Sequence, residues 1–139
     1  MILALKVKLL SGRYTDEEWE GVIEIDSRSS LDVLHYAIQR AVDFDNDHLY
    51  EFYSARTERS GNRISYNDES CDLCKKTIGS LFPLPERHSL YYLFDYGDHW
   101  VFKITRKRGA ELEPDSDLVY PRLASEIGKK PVQYGIAEE

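Results

Sequence analysis

Ser89-Leu-Tyr-Tyr-Leu-Phe-Asp-Tyr-Gly-Asp-His-Trp-Val-Phe-Lys-Ile-Thr-Arg106 reads as a β-hairpin. Ser89–Phe94 and Trp100–Arg106 are dense in aromatic and β-branched residues, which suit a pleated, half-buried surface. Between them, Asp95–His99 carries Gly97, whose permissive backbone suits a tight turn. Working outward, residues 2–10 alternate, with Leu3, Leu5, Val7 and Leu9 on one face and Lys6 and Lys8 on the other. Residues 19–25 alternate again through Trp19, Ile23 and Ile25. Period two predicts half-buried strands, and the short polar link at 11–18 predicts an antiparallel pair.

The period then changes. Leu31, Leu34, Ala37, Ile38, Ala41 and Val42 form a stripe at helical spacing, which predicts a helix over 31–42. Ser29 or Ser30 would cap it, and Asp32 favours its positive end. His48–Ala55 is expected to be a third strand and 56–76 a long polar loop. Thr77–Phe82 is expected to form one helical turn stopped by Pro83 and Pro85. From residue 109 a weakly structured tail is expected, with helical character around Leu123–Ile127.

This order predicts an α+β fold. In it, one main helix packs on a mostly antiparallel or mixed sheet in two layers, with β-grasp-like topology. The 139 residues fit a single domain, 1–139. A hydrophobic share of 42% allows a core, and the 12% aromatic content argues against disorder. Met1–Lys6 is too short and too soon charged to read as a signal peptide. No stretch approaches the roughly 20 apolar residues of a membrane span. The cytoplasm is the expected compartment, with no membrane association and no cofactor.

A formal net charge of −7 opposes general nucleic-acid binding, which draws on cationic contacts to phosphate. The local exception is Lys103, Arg106, Lys107 and Arg108, whose plain reading is a solvated strand end. Asp43, Asp45 and Asp47 resemble the start of a calcium loop. That loop needs Gly at its sixth position and Glu at its twelfth, which here hold His48 and Ser54. Cys71-Asp-Leu-Cys74 has the spacing of half a zinc site without a second pair, so plain thiols are expected and no metal site is assigned, with metal binding and redox chemistry as the alternatives for this pair. Nucleophile elbows, phosphate loops and H-E-x-x-H are absent.

The binding candidates are therefore two loops at element ends, where functional residues concentrate. They are Asp45, Asp47 and His48 in one, and Asp98, His99 and Trp100 in the other. A protein or peptide partner is the leading expectation. The alternatives are an accessory role on nucleic acid through the basic patch, or a metal-dependent enzyme using Asp45, Asp47, His48, Asp98 and His99.

Four stretches carry a family resemblance: the opening strand followed by Trp19–Ile25, Leu34–Ala41 leading to Phe44–Phe52, Tyr92–Trp100, and Tyr120-Pro-Arg122. Together they resemble the plasmid pRiA ORF-three-like family over residues 3–122. The resemblance implies an α+β fold of β-grasp character and a loose link to mobile elements and recombination, but no settled activity. Members often carry cysteines after the Tyr-Pro-Arg stretch, and residues 123–135 here have none. The H-x-x-R pair that tyrosine recombinases share is also missing. The positions three beyond His35, His48, His88 and His99 hold Ile38, Glu51, Tyr91 and Phe102.

Overall fold

A computed structural model describes residues 1–12, 18–67, 72–107, 111–131 and 133. The alternating segments form β1 (Ile2–Ser11) and β2 (Trp19–Asp26), the expected third strand forms β3 (Tyr50–Ala55), and the aromatic-rich pair forms β5 (Ser89–Phe94) and β6 (Trp100–Arg106). The helix is α1 (Leu31–Val42), and the turn before the prolines is α3 (Ile78–Leu81). The 56–76 stretch holds further structure, β4 (Ile64–Tyr66) and the four-residue α2 (Asp72–Lys75). In the expected tail, Arg122–Gly128 is a strand, β7, rather than helical.

All strands join one seven-stranded sheet, ordered β4-β3-β5-β6-β1-β2-β7. Every neighbouring pair is antiparallel. The expected two-layer α+β, β-grasp-like fold is thereby overturned. A β-grasp places its first strand parallel to its last, whereas β1 here lies antiparallel between β6 and β2. The sheet dominates because β4 extends it beyond β3 and β7 extends it beyond β2. Neither added strand shows alternation in sequence. β4 has three residues, and four of the seven residues of β7 are exposed, so no apolar period marks it.

α1 links β2 to β3 and packs on one face of the sheet, touching β2 and β7 along its length and, through His35, Tyr50 of β3 and Tyr92 of β5. The Ser30 hydroxyl caps it, accepting from the Val33 backbone N–H at 3.4 Å. Leu31, Leu34, Ile38, Ala41 and Val42 are buried against that face. They meet Leu5, Val7, Ile23, Phe52, Tyr92, Trp100 and Phe102 in the main core. The other face carries a smaller cluster of Tyr53, Ala55, Tyr91, Leu93 and Val101. The 56–63 loop folds onto it. The Tyr53 hydroxyl donates to the Glu58 carbonyl at 2.6 Å, and the Arg63 guanidinium lies 3.8 Å from the centre of the Tyr53 ring. Among the described residues no helix is long and apolar enough to cross a membrane.

β7 ends at Gly128, whose φ of +91° disfavours any side chain. A Cβ there would stand 2.1 Å from the Glu18 carbonyl oxygen. Gly128→Ala is therefore expected to lower stability by about 1–3 kcal/mol through backbone strain. Urea unfolding is the measurement that checks it.

Candidate functional site

The pairing of Tyr50 with Phe94 starts β3 beside the end of β5, so the 43–49 and 95–99 loops emerge side by side. The first loop begins where α1 stops. Asp43 and Asn46 both take left-handed conformations (φ 59° and 55°), which Asp and Asn tolerate better than most residues. Phe44 turns inward and packs on Trp100 and Phe94, with ring centroids 4.9 and 5.9 Å apart. That anchor leaves Asp45, Asp47 and His48 exposed. Gln133 ties the loop down from the far end of the chain. Its Oε1 accepts from the Asp45 N–H at 2.6 Å, and its Nε2 donates to Asp47 Oδ1 at 2.9 Å.

The second loop is organised by Asp95, also left-handed at φ 63°. Its Oδ1 accepts from the Gly97 and Asp98 N–H groups at 3.1 and 3.2 Å. Its own N–H donates to the Leu49 carbonyl at 2.9 Å, and its carbonyl accepts from the His99 N–H at 2.6 Å. Its Oδ2 lies 3.4 Å from His48 Nε2, which is also 3.5 Å from Asp47 Oδ1. The two loops thus meet at His48, between two carboxylates. Asp95 opens the loop that the sequence singles out, Asp95–Trp100, but is not among the binding residues named from it. Its adjacent Asp-Tyr-Gly turn was the available signal.

The other candidates separate from this meeting point. Trp100 is fully buried in the core, so it offers no binding surface; its Nε1 has no hydrogen-bond partner among the described residues. His99 is exposed and Asp98 half-buried. Among the described residues no group of three or more His, Cys, Asp and Glu is arranged to hold a metal ion. Of the Cys71–Cys74 pair, Cys74 is exposed on α2 and Cys71 lies outside the described residues.

Strand alternation also divides the basic patch. Lys103 sits on the sheet face away from α1, opposite Lys8 of β1. Arg106 falls on the other face and pairs with Glu111 at 3.4 Å. Lys107 continues past the strand end, and Arg108 lies outside the described residues.

Beneath the two loops runs a buried polar network. His35 Nδ1 is 2.5 Å from the Tyr92 hydroxyl, and its Nε2 is 2.6 Å from Asn46 Oδ1. Gln39 Nε2 donates to the same hydroxyl at 3.0 Å, while Gln39 Oε1 accepts from the Asn46 N–H at 2.9 Å. One assignment satisfies every member. In it the hydroxyl donates to Nδ1 and Nε2–H donates to Asn46 Oδ1. The Tyr50 ring stacks on His35 at 3.5 Å, and its hydroxyl donates to Asp32. Helix, sheet and the 43–49 loop are bonded to one another through this network.

Comparison with known proteins places the chain at this point. The family model described as plasmid pRiA4b ORF-3-like protein matches residues 2–133. The chain belongs to that family. Among solved structures, it is similar to the crystal structure of a protein of unknown function from Methanosarcina mazei Go1. The TM-score is 0.70 at 23% identity, covering 90% of this chain and 68% of that one. At that identity the likeness concerns the fold. No curated protein matches the chain at a significant level. Within this plasmid ORF-3-like fold, the stretches quoted above supply α1, β3 and the β5–β6 turn, the elements that build the loop pair.

Burial pushes the Tyr92 hydroxyl well above the ordinary phenol range, although Gln39 opposes the shift. Burial raises Tyr53 and Tyr91 as well. A raised folded-state value means that the unfolded chain ionises first. Stability is therefore expected to be independent of these groups below about pH 10 and to fall above it. Tyr92→Phe should flatten that fall. It should also cost about 1–3 kcal/mol at neutral pH by removing the buried hydroxyl that His35 Nδ1 and Gln39 Nε2 share. Denaturant unfolding between pH 7 and 11 checks both.

Proposed function

We propose that the protein is a small non-enzymatic interaction module that takes up an extended peptide along the outer edge of β7. The observation that carries this reading is the asymmetry of the sheet's two ends. β4 closes one end with three residues, a common way of blunting an edge. β7 closes the other with seven, mostly exposed, and contains no proline or lysine. A terminal strand of that length presents backbone donors and acceptors to an incoming strand, the basis of β-augmentation. Ile127, 71% exposed, offers an apolar side chain to a partner. The 43–49 loop flanks the same region, since Lys130, two residues past β7, pairs with both Asp43 and Glu126. Asp45, Asp47 and His48 would then contribute polar contacts at the end of the bound strand.

A second reading, an accessory role on nucleic acid, draws on the face away from α1. There Lys8 stands directly opposite Lys103, with Lys6 on the same face. Like charges directly opposite are unfavourable unless an anion relieves them. This reading predicts affinity for single-stranded or duplex DNA that falls steeply with salt and is lost in Lys8→Gln with Lys103→Gln.

Selection of linear peptides from a displayed library tests the main reading. Selected peptides are expected to slow amide exchange along β7. Ile127→Lys, which places a charge on the edge, is expected to weaken them about tenfold, or about 1.4 kcal/mol. A library without binders, or binders indifferent to Ile127→Lys, would count against strand addition.

A further inference from the structure

At the opposite end of the sheet from the loop pair, the chain between α3 and β5 stands off from the end of β6 and leaves a groove of about 420 Å³. That volume falls in the range of small-ligand pockets, roughly 300–1,000 Å³. Its walls are apolar. Phe82 and Leu84 are half-buried against the main core, and Ile104 forms part of the floor. Pro83 and Pro85 hold fixed φ angles along one wall, so that wall is preorganised.

The polar groups at the groove are of one predominant sign. Arg87 and Arg106 line it against a single carboxylate, Glu86, in a chain whose formal net charge is −7, and the His88 imidazole stands beside them. Arg87 is exposed and makes no ion pair among the described residues. It is also held at φ 65°, an uncommon conformation for a residue with a long side chain. The pairing of Arg106 with Glu111 is a 3.4 Å contact with both side chains more than a third exposed, so it yields readily to a competing anion. His88 is oriented from behind. Its Nδ1 is 2.8 Å from the hydroxyl of Ser54, a residue with no exposed surface. A hydroxyl both donates and accepts, so Ser54 holds the ring in either protonation state while Nε2 stays available as a donor.

We propose that this groove binds a small monocarboxylate with an apolar body. The hydrophobic walls would take the body, and Arg87 and Arg106 would take the carboxylate, whose two oxygens match the planar guanidinium fork. His88 Nε2 would add a third donor. A purely apolar ligand would leave the arginines unused, and a phosphate ion would leave the walls unused.

The test is a titration of the isotope-labelled full chain, followed by amide and side-chain NMR shifts. The probes are 2-naphthoate, 2-naphthylmethanol and inorganic phosphate. The expected result is saturable shifting by 2-naphthoate confined to residues 82–89 and 104–106. The alcohol and phosphate should bind at least tenfold more weakly. Arg87→Asn, which keeps a residue tolerant of left-handed φ, combined with Arg106→Gln should lower naphthoate affinity at least tenfold and leave the alcohol unchanged. Leu84→Glu should abolish both, and Lys8→Gln, on the other face of the sheet, should change neither. The arginine double variant carries the test if Leu84→Glu does not fold. No saturable binding, shifts centred elsewhere, equal affinity for the alcohol, or indifference to the arginine variant would each overturn the proposal.

Discussion

The pairing of β1 with β6 is the contact on which the rest of the structure depends. It sets Val7 opposite Ile104 and Lys8 opposite Lys103, joining the start of the chain to a hairpin near its other end. Without it the sheet would be two pieces, β4-β3-β5-β6 and β1-β2-β7. Neither piece alone would give α1 a face wide enough to bury its apolar stripe. The register also decides which residues face the helix. A slip of one would turn Leu5, Val7 and Leu9 away from the core and turn Lys6 and Lys8 into it. Closing so long a stretch of chain before the contact forms is entropically costly, so a sheet of this order folds more slowly than a local one.

How much of this was legible follows the strength of periodicity. β1, β2 and α1 bury one face each, which writes a period into the residues, whereas β5 and the start of β6 are buried on both faces and show instead as a dense aromatic and β-branched run. Edge strands lack that constraint. Arg122–Gly128 contains one exposed isoleucine and three small residues, Ala124, Ser125 and Gly128, and its place is set by partners across the sheet. Trp19 Nε1 donates to Glu126 at 3.0 Å, and Arg122 Nε donates to Glu24 at 2.7 Å. No local pattern reports such distant pairs.

The candidate site divides in the same way. Asp47 and His48 were visible because an acidic run beside a histidine at a helix end is a local signal. Asp95 fell within the second loop, but its role was not visible, because that role arises from a left-handed turn and from the β3–β5 register that brings His48 to it. Gln133 binds residues 88 and 86 positions earlier. The His35 network is similar. Helical spacing placed His35 beside the apolar stripe, but its partner Tyr92 lies 57 residues on, in a strand. A fully satisfied buried network of this kind restrains the helix to one position over the sheet, where apolar contacts alone would tolerate several.

The two indoles of the chain sit in different chemical settings, and this gives the molecule a pair of built-in optical reporters. Both are sequestered from water, but Trp19 donates to a carboxylate on the outermost strand, whereas Trp100 has no described hydrogen-bond partner and packs edgewise on Phe44. Peeling of the outer strand would therefore register as a change in the emission of one indole alone. Loosening of the helix-end loop would register in the other. Local opening at either corner of the sheet can thus be told apart by fluorescence without attaching a dye.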